Sequence, residues 1–159
     1  MYAKLAHLIA SGLYSGLSPK APGTLGSIFC LLFWLLFVPK MQHFGFTLIC
    51  LSVTVILGFF AITHCLSLGP TQEKERKDPQ WIVIDEWAGL FLALLPANPN
   101  SILQPLLAFA LFRVLDIKKP GPIGLVENLP GAQGILADDL LAGLVAACIL
   151  LFAQSALPL

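Results

Sequence analysis

The sequence predicts an all-α integral membrane protein: a compact bundle of about five short or full membrane-embedded helices, one domain over residues 1–159, with a polar site at the cytoplasmic leaflet. Three observations predict it. Hydrophobic residues make up 57% of the chain and charged residues 11%, with a mean hydropathy of +0.85, more apolar than soluble domains sustain. The apolar residues fall into five runs divided by Pro, Gly and Asn. Carboxylates lie inside or against those runs, where ionisable groups are rare and usually functional.

The start, MYAKLAHLIASG, is weakly apolar and gives way to polar residues 18–27, so a cleavable signal peptide is not expected. The runs are 25–38, 44–66, 81–95, 102–115 and 135–157. Only the second and fifth reach the roughly 20 residues that span a bilayer comfortably. The other three are short enough to thin the membrane or to form a re-entrant pair shielded by protein. Pro39, residues 96–100 and residues 119–122 supply the breaks. No internal repeat stands out. Cys30, Cys50, Cys65 and Cys148 lie in or beside apolar runs without metal-ligand spacing and are expected to be free thiols.

Counting cations sets an orientation, because short cytoplasmic loops keep Lys and Arg. Five crossings with the N-terminus inside put Lys4, Lys20, Lys74, Arg76, Lys77, Arg113, Lys118 and Lys119 in the cytoplasm and leave Lys40 alone outside. The same threading brings Asp85, Glu86, Asp116, Asp138 and Asp139 to the cytoplasmic leaflet. Glu73, Glu75, Asp78 and Glu127 fall in polar loops and receive no role. Asp138 and Asp139, at the start of the fifth run, are as readily explained as helix caps as by metal binding. Five converging carboxylates, however, repel one another and take up protons unless a cation lies between them. An oxygen-only donor set favours Mg2+, with Mn2+ also suitable, over zinc. His7, His43 and His64 are dispersed, and His64 reads as a polar residue at an interface.

The cations near the acids suggest a phosphate ligand. Arg113 offers a planar fork, and Lys118 and Lys119 offer point charges. Residues 22–27, PGTLGS, join a tight turn to an apolar run, so free N–H groups there can hold a phosphate, with Thr24 or Ser27 as cap. The P-loop pattern is absent. A formal net charge of zero points to no nucleic-acid surface, and no protein partner is indicated.

Four stretches, SGLSPKAPGTLGS (15–27), IVIDEWAG (82–89), LFRVLDIKKPGPI (111–123) and GILADDLLAG (134–143), resemble in order the blocks of the phosphatidylglycerophosphatase A family. The resemblance implies a magnesium-dependent enzyme of the bacterial cytoplasmic (inner) membrane, multi-pass and with its site facing the cytoplasm. Its substrate would be phosphatidylglycerophosphate, met in the lipid bilayer, and its products phosphatidylglycerol and phosphate. The family's acid positions map onto Asp85, Glu86, Asp116, Asp138 and Asp139. Asp85, Glu86 and Asp139 are the expected metal ligands, with Asp116 or Asp138 as ligand, base or orienter. The expected mechanism is attack of an activated water on the phosphomonoester. Arg113, Lys118 and Lys119 would bind phosphate, helped by Lys20, Gly23, Thr24 and Ser27. Neither a CxxxxxR nor a DxD pattern offers another phosphatase chemistry. The chain departs from the family where Glu127-Asn128 replaces Asp-Arg, Gly131-Ala132 replaces Gly-Gly, and KPGP replaces KPWP, changes that bear on head-group specificity. The rival readings are a membrane cation carrier or proton relay using the same acids, and a lipid phosphotransferase.

Overall fold

The computed structural model describes residues 2–38, 42–68 and 79–156. Lys40, Lys74, Arg76 and Lys77, part of the orientation argument, lie outside the described residues, as do Pro39, Glu73, Glu75 and Asp78. Every ordered element is helical among the described residues: α1 (Tyr2–Ala10), a 3-10 turn (Ser15–Leu17), α2 (Pro22–Phe37), α3 (His43–Leu68), α4 (Ile84–Leu94), α5 (Leu103–Lys118), α6 (Pro122–Val126) and α7 (Ala132–Ala156). Each apolar run overlaps one of the five longer helices. α1 and α6 were not anticipated.

Local chemistry sets the boundaries. Pro22 occupies the first turn of α2, where its fixed φ suits a helix and its missing N–H costs nothing. α2 stops at Val38, which is extended and precedes a proline that disfavours helical geometry there. α5 ends at Lys119, whose left-handed φ of 43° is followed by Pro120 and Gly121. α3 and α7, with 26 and 25 residues, are long and apolar enough to cross a membrane. At 1.5 Å per residue α3 extends about 39 Å. Their outer faces, including Ile49, Ile56 and Phe60 on α3 and Leu151 and Phe152 on α7, leave large apolar side chains exposed.

The short helix α4 is the centre of the bundle, packing against α2, α3, α5 and α7. Nearly all its residues are buried, including Leu90, Phe91 and Leu94, which join Trp34, Phe112 and Leu150 in the core. α1 lies against α3 through Ala6, Ala10 and Ala61, and the Val83 N–H donates to the Ala10 carbonyl at 2.9 Å, tying the end of α1 to the start of α4. Trp34 Nε1 donates to Thr47 Oγ1 at 2.8 Å, joining α2 to α3. None of the four cysteines forms a disulfide among the described residues; Cys30 is buried and Cys148 exposed.

α4 and α7 run in the same direction, and α5 runs back against both of them. Gln154 Nε2, near the end of α7, donates to the Pro96 carbonyl just past α4 (2.9 Å) and to Gln104 Oε1 at the start of α5 (2.8 Å). Gln104 Oε1 also accepts the Asn98 N–H at 2.7 Å. This uncharged polar knot closes the bundle at the end away from the acids. Gln154→Leu should lower the stability of purified protein by about 1–2 kcal/mol, read as a lower thermal midpoint in detergent, because two hydrogen bonds are lost, to the Pro96 carbonyl and to Gln104 Oε1.

Candidate functional site

The site is built where the first turn of α4, the last turn of α5, the start of α2 and the second and third turns of α7 meet. Asp85 and Glu86 lie in the first turn of α4, where the positive end of the helix dipole favours carboxylates. Asp138 and Asp139 are about two turns inside α7, which begins at Ala132, so they are not the caps their place in the run suggested. Asp85, Asp138 and Asp139 are each 3% exposed.

Glycines fix how closely the two acid-bearing helices approach. A methyl group at Gly143 would strike the Gly89 carbonyl oxygen, and one at Gly89 would come within 2.5 Å of the Asp139 carbonyl oxygen and of Phe112 Cε2. Each glycine follows an aspartate by four residues, one helical turn: Asp85-Glu86-Trp87-Ala88-Gly89-Leu90 on α4 and Asp139-Leu140-Leu141-Ala142-Gly143-Leu144 on α7. This shared D-x-x-A-G-L pattern is the sequence signal that a search for long repeats passes over. Backbone contact at the glycines sets the two aspartates side by side one turn earlier. Gly23 plays a similar part on α2, since a methyl group there would run into Glu86 Oε1.

Two cations serve the outer acids. Arg113 Nη1 donates to Asp116 Oδ2 at 2.6 Å and lies 3.8 Å from Glu86 Oε1. The same guanidinium donates to Ser27 Oγ and, through Nη2, to Thr24 Oγ1, both at 3.3 Å, so it ties α2 to α4 and α5. Lys119 Nζ donates to Asp138 Oδ2 at 2.6 Å and pairs with Glu127 Oε1 at 3.2 Å. Burial alone would pull the Lys119 ammonium down, but hydrogen bonds and charge from Asp138 and then Glu127 outweigh it and hold its pKa above the ordinary lysine value. Lys119 is therefore protonated throughout the physiological range.

Asp85, Glu86 and Asp139 converge: each brings one carboxylate oxygen to within 4.8 Å of the others. Oxygens around an octahedral Mg2+ at about 2.1 Å stand about 3 to 4.2 Å apart, so a small rotation of these side chains would suffice. Glu86 Oε2, Asp138 Oδ1 and Arg113 Nε are buried with no hydrogen-bond partner among the described residues. Buried polar atoms normally have partners, so the donor set and the orphaned oxygen of Glu86 both fit a hard divalent cation.

Of the residues expected to bind phosphate, the structure brings Gly23, Thr24, Ser27, Arg113 and Lys119 to the acids. Lys20 and Lys118 are exposed at the same end, and neither pairs with an acid among the described residues. Thr24 and Ser27 are not caps. α2 already includes Pro22, its N-cap is Ala21 with no side-chain bond, and Ser27 Oγ donates back to the Gly23 carbonyl at 2.8 Å. Glu127, given no role by its loop position, lies against Lys119.

Fold and site together define an all-helical protein, with two helices able to cross a bilayer and a carboxylate cluster flanked by Arg and Lys. Residues 8–154 match the family described as Phosphatidylglycerophosphatase A, and the chain belongs to that family. It is 36% identical over 149 residues to Phosphatidylglycerophosphatase A of Escherichia coli strain K12, covering 92% of this chain and 81% of the relative. The Haemophilus influenzae protein of the same name is 36% identical over 155 residues, covering 93% and 88%. A Bacteroides thetaiotaomicron protein, whose name proposes it as a phosphatidylinositol-3-phosphatase, is 33% identical over 138 residues, covering 86% and 85%. No solved structure matches the chain.

Proposed function

We propose that this chain is a Mg2+-dependent phosphatase, with Mn2+ as a substitute, that removes the terminal phosphomonoester of phosphatidylglycerophosphate at the cytoplasmic leaflet of a bacterial inner membrane. The observation that carries the reading is the convergence of Asp85, Glu86 and Asp139, whose carboxylate oxygens lie within 4.8 Å of one another beside Arg113 and Lys119. Family membership and the names of two relatives support the substrate. The Bacteroides relative's name keeps the phosphomonoester of a lipid and changes the head group, which agrees with a site that reads phosphate before alcohol.

Asp85, Glu86 and Asp139 would hold the ion. When bound, it supplies charge neutralisation at the phosphoryl oxygens and activation of water. Asp116 fixes the Arg113 fork, whose contacts with Thr24 and Ser27 hold the start of α2 against it, where free first-turn N–H groups would be available to a phosphate. Asp138 orients Lys119, which presents a permanent positive charge to the same group. Lys20 and Lys118 attract the anion from the aqueous side. The acyl chains stay in lipid against the exposed apolar faces of α2, α3, α5 and α7.

A phosphate-release assay on purified protein in mixed micelles tests the reading. Release from phosphatidylglycerophosphate that is lost on chelation and restored by Mg2+ is expected; no release under any metal condition refutes it and favours a carrier. The carrier reading has little support, because the far end of the bundle, around Pro96, Gln104 and Gln154, has no Asp, Glu, Lys or Arg among the described residues.

A further inference from the structure

Among the described residues, Glu127 is the one acid at this end of the bundle that the mechanism does not use. It follows the short helix α6, in the segment linking α5 to α7, and its side chain is 34% exposed. The Lys119 ammonium is shared between it and Asp138, whose side chain is only 5% exposed. The two contacts differ in strength and in cost of exchange. Separating Lys119 from Asp138 would strand a buried carboxylate, which is expensive. Separating it from Glu127 breaks a partly exposed, longer pair, and such pairs are weak. The segment itself need not move, because Ile123 and Ala132 pin it on either side of Glu127, at 3% and 5% exposure. Rotation of one side chain is enough to clear the outer face of the ammonium.

We propose that Glu127 is a placeholder anion: in the empty site it occupies the outer face of the Lys119 ammonium, and it yields that position to the phosphate group of the ligand. This rests on the reading of the cluster as a phosphomonoester site. An ammonium has three donors and no acceptor, so Asp138 can keep one while phosphate takes the place of Glu127. A phosphate that takes the outer face of the ammonium displaces Glu127, and one that leaves that face is replaced by it. Glu127 therefore weakens the hold on inorganic phosphate, the product, and speeds its release.

The test uses inorganic phosphate as the probe, titrated by calorimetry into the purified full-length protein with Mg2+ present. Glu127→Gln should bind it about two- to fivefold more tightly, the change expected from removing a weak exposed competitor. The gain should vanish when Glu127→Gln is made in a Lys119→Gln background. Unchanged or weaker binding in Glu127→Gln overturns the proposal, and so does a gain that survives without Lys119, which would reflect general charge. Phosphate release from the lipid by the unmodified protein is measured separately. Tighter phosphate binding in Glu127→Gln without any lipid hydrolysis would sustain the placeholder and refute the phosphatase reading, so the two failures are distinct.

Discussion

Asp139→Asn should reduce phosphate release from phosphatidylglycerophosphate by at least about 100-fold, since loss of even an outer partner of a metal ligand costs up to that much. The substitution keeps the size of the side chain and removes its charge. Asp139 shares a 4.8 Å cluster with Asp85 and Glu86, so the remaining pair should bind Mg2+ too weakly for added metal to restore more than a small fraction of activity. Asn and Asp are equivalent as N-caps, yet Asp139 is well inside α7, so a capping role cannot account for a loss. Asp138→Asn is the companion variant. It frees Lys119 from its inner partner at 2.6 Å and should impair phosphate binding while leaving metal affinity closer to normal. Helical circular dichroism checks that both proteins are folded. Near-normal turnover of Asp139→Asn at limiting Mg2+ would remove the metal assignment.

The helices were legible because apolar runs and breakers reflect local chemistry. Each run overlaps a helix, and Pro22, Pro96 and Lys119-Pro120-Gly121 lie at helix ends. The exact starts were not legible. α4 begins three residues after its run and α7 three residues before, which exchanges the expected settings of the two acid pairs. Asp85 and Glu86, read as embedded, stand in a first turn; Asp138 and Asp139, read as a start, stand inside a helix. Residue type alone cannot separate these cases, because an aspartate suits a helix start yet is held elsewhere by a lysine distant in sequence, as Lys119 holds Asp138 across 19 residues. α1 and α6 were missed for a related reason: their stability comes from packing on α3 and α7 rather than from a long apolar pattern. Among the basic residues, Arg113 and Lys119 differ from Lys20 and Lys118 only through which face of the chain turns inward.

Gly143→Ala should separate metal binding from folding more clearly than any change to an acid. The added methyl group falls on the Gly89 carbonyl oxygen, and neither backbone can rotate away, so α4 and α7 must move apart. The carboxylates of Asp85 and Glu86 then move away from Asp139. Overpacking of this kind costs about 1–3 kcal/mol in stability, and the expected loss in Mn2+ affinity, read by electron paramagnetic resonance of the free ion, is about 10- to 100-fold. Gly58→Ala on α3 is the matched control. Its methyl group would meet only side-chain atoms of Ile84, at 3.3 and 3.4 Å, and Leu136 at 3.7 Å, which can shift without moving the α4–α7 crossing. It should leave the thermal midpoint unchanged or raise it, since Ala is favoured over Gly inside a helix by about 1 kcal/mol, and should leave Mn2+ binding nearly unchanged. If the two variants bind Mn2+ equally well, the glycine crossing does not set the spacing of the acids, and the shared D-x-x-A-G-L pattern is a packing motif alone.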